Sequence, residues 1–173
     1  MESSIHFIQE QRRMLVEYVN RFTEEQLNQR TEPGKWSAMQ VLEHLYLIEK
    51  SITAMIQKHL DGGDHRSIPA KPIHLTVDRS TKVDAPAYVI PSEDIQTWHS
   101  IISKLDASRH ELLRLIQSTQ KQKLNIKGFS HPVFGLLSLD QWVEFIGYHE
   151  KRHLLQIEEI MNSKTTAGVM DGK

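Results

Sequence analysis

The sequence predicts an all-α fold, a four-helix bundle with a long crossover loop between the second and third helices. Apolar residues recur at steps of three and four in four separate segments, which is the period of an amphipathic helix. The stretch 61–91 breaks this pattern and holds four of the six prolines of the chain. With 173 residues, the chain is expected to form a single domain over residues 1–173.

The first helix is predicted over 3–21, with the side chain of Ser3 or Ser4 capping its free amide groups. The segment from Thr23 to Gln26 has the form of a capping box, which predicts a short helical turn before the Pro-Gly pair at 33–34 breaks the chain. The expected buried face of the first helix consists of Ile5, Ile8, Leu15, Tyr18, Val19 and Phe22.

The second helix is predicted over 37–60. A capping box from Ser37 to Gln40 opens it, and the glycines at 62–63 end it. His44 has apolar neighbours three residues before and four residues after it, so its ring should point into the bundle. The apolar face consists of Val41, Leu42, Leu45, Ile48, Ile52, Met55 and Ile56.

The loop 61–91 contains His65 and His74 and has no sustained period. Such long loops in compact domains are usually functional or disordered. Two interpretations stay open: an ordered cover over one end of the bundle, and a mobile crossover linker. No strand is predicted, although 73–77 alternates briefly.

The third helix is predicted over 92–119, with Ser92 as its cap. His99 and His110 flank its apolar face and are expected at the surface. That face consists of Ile95, Trp98, Ile101, Ile102, Leu105, Leu112, Leu115 and Ile116. After a second connection marked by Gly128, Pro132 and Gly135, no further break occurs before the last helix.

The fourth helix is predicted over 138–162 and opens with a capping box from Ser138 to Gln141. It carries the pentad His149-Glu-Lys-Arg-His153, which sets two imidazoles four residues apart on one helix face. The apolar residues Trp142, Phe145, Ile146, Ile157 and Ile160 share that face. Two inward histidines each need a buried partner, and one divalent cation would satisfy both. The alternative is that they are hydrogen-bonded core residues.

The composition narrows the classes of function. The chain has no cysteine and a formal net charge of -1, so histidines and carboxylates are the available metal ligands, and neither nucleic acid nor a membrane is an expected partner. No segment approaches a membrane span or has the form of a signal peptide. A cytoplasmic protein that acts on a small molecule is expected.

Bundle cores build metal sites from side chains on facing helices. If the second and fourth helices are neighbours, His44, His149 and His153 would form a three-histidine site. Three neutral imidazoles leave a position open on a divalent ion, the arrangement that catalytic sites use to activate water or a thiol. The ion could be zinc, nickel or a similar metal.

Several motifs in fixed order carry a family resemblance. Trp36-Ser37 opens a helix and His44 follows. His131-Pro-Val-Phe-Gly135 comes next, then Gln141-Trp142, and His149-x-x-x-His153 ends with Gln156-Ile157. This order and spacing resemble the DinB-like superfamily, the YfiT-related four-helix bundles with a metal-binding histidine triad. The resemblance spans nearly the whole chain.

The resemblance implies that His44, His149 and His153 hold a divalent ion and that water or substrate takes the remaining positions. The superfamily includes S-transferases that use low-molecular-weight thiols, maleylpyruvate isomerases and proposed hydrolases, and its members often form homodimers. The leading hypothesis is a metal-dependent thiol S-transferase or hydrolase. The alternatives are a non-catalytic metal- or small-ligand-binding bundle in stress response, and a plain structural bundle.

The pentad also matches HExxH, the zinc-protease signature, in which the glutamate is the general base. The protease reading is set aside because the chain lacks the downstream third ligand of that class. Glu150 lies about 100° around the helix from His149, which predicts a solvated or supporting carboxylate. Glu150 and His131 remain candidate catalytic residues, with a role in fixing its turn favoured for His131. Catalytic and cofactor-binding residues are otherwise unassigned.

Overall fold

The computed structural model describes residues 2–62, 68–80 and 84–170 and is a bundle of four long helices, which confirms the predicted fold class. The helices are α1 (Glu2–Val19), α2 (Glu24–Asn28), α3 (Ala38–His59), α4 (Trp98–Gln117), α5 (Lys121–Ile126) and α6 (Leu139–Met170). Two strands, β1 (Gly128–His131) and β2 (Gly135–Ser138), precede α6, and two short 3-10 helices, Ile73–Val77 and Ala87–Val89, lie in the crossover. No described helix is both long and apolar enough to cross a bilayer.

The four long helices bury two apolar clusters, one toward each end of the bundle. Helix α1 packs against α6, and α3 packs against both α4 and α6. Each long helix places one buried charged residue between its contributions to the two clusters. These four residues are Arg12, Glu49, Arg109 and Glu150, and all four are buried.

The order in which each helix meets the clusters gives its direction. Helices α3 and α4 both run from the cluster that contains Leu45 and Leu105 toward the cluster that contains Ile52 and Leu112. They are therefore parallel neighbours. A chain that leaves one end of α3 must return along the bundle before it can start α4, since α3 is 22 residues long and spans about 33 Å. This geometry is the physical reason for the long crossover.

Local signals in the sequence place most helix starts correctly. The capping boxes of Thr23 with Gln26, Ser37 with Gln40, and Ser138 with Gln141 all form. The predicted caps at Ser3 and Ser4 are wrong, because both residues lie inside α1. The hydroxyl of Ser4 donates instead to the carboxylates of Asp140 and Glu144 on α6, at 3.2 and 3.3 Å. Helix α6 also continues past its predicted end at 162.

The predicted start of the third helix at Ser92 is wrong. Helix α4 begins at Trp98, and its cap is Thr97, whose side chain accepts from the amide of Ser100. The backbone N–H and hydroxyl of Ser92 instead donate to the Glu43 carboxylate at 2.9 and 3.0 Å. Because this contact ties the chain to α3, Ile95 stays outside the helix and is 83% exposed rather than buried.

The sequence predicted no strand, but β1 and β2 form an antiparallel hairpin directly before α6. Each strand has only 4 residues, which is too short for a periodic pattern to stand out. Gly135 adopts a φ of 71° where the second strand begins, a conformation that glycine adopts without strain. The hairpin packs on α6, where the indole N–H of Trp142 donates to the Phe129 carbonyl at 3.1 Å.

The described part of the crossover packs on the bundle. The segment Ile73–Val77 lies against α6, and Ile73 and Val89 are buried. This packing agrees with the ordered-cover interpretation for 68–80 and 84–91. Residues 63–67, which include His65, and residues 81–83 lie outside the described residues.

Candidate functional site

The three histidines predicted as metal ligands converge in the bundle. The ring centroids of His44 and His149 lie 5.3 Å apart, those of His44 and His153 4.9 Å apart, and those of His149 and His153 4.4 Å apart. One nitrogen of each ring can be chosen so that all three nitrogens lie within 4.8 Å of one another. His44 and His153 are buried, and His149 is partly exposed.

The helices set this convergence. His149 and His153 stand four residues apart on α6, so their rings stack along one face. Their Nε2 atoms lie 3.2 Å apart. His44 stands on α3, which packs directly against α6. Its position almost two turns inside α3 follows from the capping box at Ser37, which fixes where that helix begins.

Acceptors on the outer side of two rings decide which nitrogen faces the cluster. His44 Nδ1 lies 2.8 Å from the carbonyl oxygen of Val89, and a carbonyl can only accept, so Nδ1 carries the proton. His153 Nδ1 lies 2.7 Å from the side-chain oxygen of Gln156, with the same consequence. Both histidines therefore present an unprotonated Nε2 to the cluster, as metal-ligating imidazoles do.

The rings are held in the neutral form. Burial lowers the pKa of His149 well below its usual value, and the nearby rings of His153 and His44 lower it further. Burial likewise lowers the pKa of His153 to about 3. It also lowers the pKa of His44, with the hydrogen bond to Val89 acting in the opposite direction. Neutral imidazole is the form that binds a metal ion.

The donor set fits a divalent first-row ion. Zinc binds imidazole nitrogens at about 2.0–2.1 Å, which in a tetrahedral site separates two ligand nitrogens by roughly 3.3 Å. The 3.2 Å between the Nε2 atoms of His149 and His153 is close to that separation. Without an ion, two neutral rings at this distance would share one hydrogen bond between their Nε2 atoms. Because His153 carries its proton on Nδ1, His149 would be the donor of that bond.

Aromatic rings surround the three histidines. The ring centroid of Trp36 lies 5.0 Å from that of His44, and the centroid of Phe145 lies 5.6 Å from that of His149. Trp142 is 6% exposed and contacts Phe145, as expected of a core anchor. Trp36 is partly exposed and forms one apolar wall of the site.

The crossover supplies a second wall. Val89, which binds His44, comes from this segment, and Arg152 of α6 donates to the backbone carbonyls of Thr76 and Asp78. Arg79 forms an ion pair with Glu159 at 2.6 Å. These contacts attach the described part of the crossover to α6 beside the histidines, so residues 76–79 and 89 of the predicted loop belong to the surroundings of the site.

His131 fixes the hairpin turn, the role that the sequence favoured. Its Nδ1 accepts from the backbone N–H groups of Val133 at 3.0 Å and Phe134 at 3.3 Å. Its ring packs against Trp142 and Phe145, and burial lowers its pKa. Phe145 contacts the rings of both His131 and His149 and so connects His131 with the triad.

Glu150 is not a solvated carboxylate, so that part of the prediction is wrong. Its exposed fraction is 2%, and its Oε1 atom accepts from Arg12 at 2.7 Å and from Arg109 at 2.9 Å. A carboxylate that accepts from two guanidinium groups is engaged in ion pairs and cannot act as a free base.

The sequence analysis missed this buried ion-pair cluster. Its signal was present, because each member interrupts an apolar stripe at helical spacing. Arg12 stands between Ile8 and Leu15, and Arg109 stands between Leu105 and Leu112. His99, His110 and His74 are exposed, as predicted for the first two.

The chain is similar in sequence to a known family and to a known protein. A family model described as the DinB superfamily matches residues 8–157. The chain is 34% identical over 138 residues to the uncharacterized protein YuaE of Bacillus subtilis strain 168, a match that covers 80% of this chain and 85% of that protein.

Two solved structures have the same fold. YfiT from Bacillus subtilis, described as a probable metal-dependent hydrolase with an unusual four-helix bundle topology, aligns with a TM-score of 0.66 at 18% identity over 95% of this chain and 87% of its own. TT2238, described as a four-helix bundle protein, aligns with a TM-score of 0.63 at 19% identity over 91% of this chain and 98% of its own. At these identities the likeness concerns the fold.

Proposed function

The chain belongs to the DinB superfamily, and we propose that it is a metal-dependent enzyme whose divalent ion is held by His44, His149 and His153. The proposed activity is thiol S-transfer or hydrolysis on a small molecule. The description of YfiT as a probable metal-dependent hydrolase supports this class.

One observation carries the proposal. His44 and His153 have their outer nitrogens bound to acceptors, Val89 and Gln156, so both rings turn an unprotonated inner nitrogen toward His149, whose Nε2 lies 3.2 Å from that of His153. Three rings from two helices that turn ligating nitrogens toward one another form the donor set of a metal site, with the outer nitrogens oriented by acceptors as in known sites. The arrangement favours ligands over core residues.

With only three protein ligands, a bound ion would keep a position open for water or a thiol and act as a Lewis acid toward it. The residues of the chain set the conditions for that chemistry. Trp36 and Phe145 pack against the rings of His44 and His149, and Val89 and Gln156 hold the rings of His44 and His153 in the ligating tautomer. His149, the partly exposed member, marks the side from which a substrate would enter.

The first experiment measures metal binding. The purified protein is stripped with a chelator and titrated with Zn²⁺, Ni²⁺ and Co²⁺, and the same titration is run on His149→Ala and His44→Ala. We expect about one ion per chain for the wild type and a loss of at least a hundredfold in affinity for both variants. His99→Ala, which removes an exposed histidine, is the matched control and should bind like the wild type. Equal binding by all four proteins would refute the site.

The second experiment measures turnover. The metal-loaded protein is given low-molecular-weight thiols with an electrophilic probe such as monochlorobimane, and separately a panel of esters and amides. Metal-dependent turnover in the first assay supports S-transfer, and turnover in the second supports hydrolysis. Metal binding without turnover in either panel would contradict the enzyme proposal and leave a metal-binding protein without catalysis.

A further inference from the structure

A layer of four buried charges crosses the bundle, with one member from each long helix. Arg12 comes from α1, Glu49 from α3, Arg109 from α4 and Glu150 from α6. Their side chains are between 1% and 9% exposed. The layer separates the two apolar clusters, and its formal charges sum to zero.

Each arginine joins the same two carboxylates. Arg12 Nη2 lies 2.8 Å from Glu49 and its Nε lies 2.7 Å from Glu150. Arg109 Nε lies 2.5 Å from Glu49 and its Nη2 lies 2.9 Å from Glu150. The two carboxylates stand on α3 and α6, the two helices that carry the three histidines. The layer is therefore a double bridge between the histidine-bearing helices.

Backbone contacts fix the orientation of both arginines. Arg12 Nη1 donates to the carbonyl of Leu105 at 2.7 Å, and Arg109 Nη1 donates to the carbonyl of Ile8 at 2.5 Å. Ser108 also donates to Glu49 at 2.6 Å. A guanidinium group presents its donors in a rigid planar fork, so a fork bound at three points cannot turn without breaking a hydrogen bond.

The bridge lies close to the histidines along the helix axes. Glu150 directly follows His149 and precedes His153 by three residues, a rise of about 4.5 Å. Glu49 follows His44 by five residues, a rise of about 7.5 Å. If the spacing or rotation of α3 against α6 changed at the bridge, all three rings would therefore shift relative to one another by nearly the same amount.

Building on the proposed metal site, we propose that Arg12 and Arg109 are positioning residues that set the spacing of the three histidines without touching the ion. A metal site needs its ligands placed to within a few tenths of an ångström. Apolar packing between α3 and α6 tolerates larger shifts, whereas four charged hydrogen bonds in a buried layer do not.

The test replaces each planar guanidinium group by the single ammonium group of lysine. Arg12→Lys and Arg109→Lys keep a cation beside the carboxylates but offer one nitrogen instead of a planar set. Arg13→Lys is the matched control, because Arg13 neighbours Arg12 and also bridges two carboxylates, Glu10 and Glu17, but is exposed and within one helix. Each protein is assayed for Zn²⁺ affinity, for the visible absorption spectrum of bound Co²⁺, and for unfolding temperature.

We expect Arg12→Lys and Arg109→Lys to weaken Zn²⁺ binding at least tenfold and to change the Co²⁺ spectrum at temperatures where both variants are fully folded. Arg13→Lys should match the wild type in both measurements. A role confined to stability would lower the unfolding temperature and leave the affinity and spectrum unchanged. That result would overturn the proposal.

A second variant covers the case in which a single lysine exchange fails to fold. Replacing all four residues by methionine (R12M, E49M, R109M, E150M) removes the charges together and leaves no unpaired ion, and such exchanges are often neutral or stabilising. The folded variant should still bind Zn²⁺ at least tenfold more weakly than the wild type. Wild-type affinity in this variant would overturn the positioning role.

A further measurement separates this inference from the proposed function. The ring ¹⁵N signals of the histidines in the metal-free protein report their tautomers and surroundings. They should change in Arg12→Lys and stay unchanged in Arg13→Lys. If the wild type binds no ion, the proposed function fails, and these signals still decide whether the bridge positions the rings.

Discussion

Single hydrogen bonds to the outer ring nitrogens decide what the histidine cluster can bind. The Val89 carbonyl cannot donate, so the tautomer of His44 follows from the backbone alone. The amide of Gln156 could present either its oxygen or its nitrogen to His153, and the oxygen orientation leaves the inner nitrogen of His153 unprotonated. Gln156 is thus the side chain through which the ligating form of His153 can be changed without altering a ligand.

Exchange of Gln156 tests this role. Gln156→Leu removes the acceptor, so the Nδ1 proton of His153 loses its partner and the tautomer preference falls; we expect metal affinity to drop about 10–100-fold. Gln156→Glu keeps an acceptor at nearly the same place and should bind at least as tightly as the wild type. Isothermal titration with Zn²⁺ measures both. Unchanged affinity in Gln156→Leu would show that the hydrogen bond does not matter.

The low pKa values of the histidines predict that acid destabilises the metal-free protein. Below about pH 6.5 the unfolded chain binds protons at these residues, whereas the folded protein does not until about pH 3 at His153. The free energy of unfolding should therefore fall with decreasing pH, by up to about 1.4 kcal/mol per pH unit for each such histidine. His153→Gln should have a shallower slope.

Urea unfolding between pH 7.5 and pH 5 in the presence of a chelator measures this slope. The range lies above the usual pKa values of aspartate and glutamate, although burial raises the pKa of Glu144. His110→Gln, an exchange at an exposed position, serves as control and should keep the wild-type slope. Identical slopes in the wild type and His153→Gln would mean that His153 takes up its proton in the folded state.

Among the secondary structure elements, the hairpin sets where α6 begins. Ser138, the last residue of β2, forms the capping box of α6 with Gln141, and the backbone N–H of Leu139 donates to the Lys127 carbonyl at 2.9 Å. Gly128 pairs with Ser138 at this junction, and a Cβ added to Gly128 would lie 2.1 Å from the backbone oxygen of Leu137. A backbone atom in a paired strand cannot move away cheaply.

Gly128→Ala should therefore destabilise the protein by about 1–3 kcal/mol, the usual cost of forcing an extra methyl group into a packed position. Chemical denaturation measures the change. Ser130→Ala, at an exposed position of the same strand, is the control and should change the stability by less than about 0.5 kcal/mol. A neutral Gly128→Ala would mean that the hairpin can separate from α6 at this point.

The site joins α3, α6 and the crossover. Because the proposed ligands come from two helices that are separated by the crossover, α4 and the hairpin in sequence, an ion would link distant parts of the chain. It would bind the folded protein and not the unfolded one. The homodimer, the cytoplasmic location and a thiol cofactor remain predictions.

Metal should accordingly raise the unfolding temperature. At a free Zn²⁺ concentration 100 times the dissociation constant, linkage adds about 2.7 kcal/mol to the free energy of unfolding, or roughly 5–10 °C for a protein of this size. A chelator should reverse the shift, and His44→Asn should abolish it. A shift of equal size in His44→Asn would show that the ion binds elsewhere.

Local chemistry made much of this molecule predictable. Some features depend only on residues within a few positions of one another and can therefore be predicted from the sequence. They are the four amphipathic stripes, the three capping boxes and the inward direction of His44, His149 and His153. The period of the α-helix alone places the i, i+4 histidine pair on one face. The fold class and the three candidate ligands follow from such short-range rules.

Contacts between distant residues decided the rest. Ser92 donates to Glu43 on α3, and α4 begins only at Trp98. This contact joins residues 49 positions apart, so short-range sequence rules cannot predict it. Likewise, Glu150 looks like a surface charge within its own helix, and only Arg12 and Arg109, brought from two other helices, make it a buried member of an ion-pair layer. A buried charge is tolerable only with its partner present, so its environment is a property of the tertiary structure.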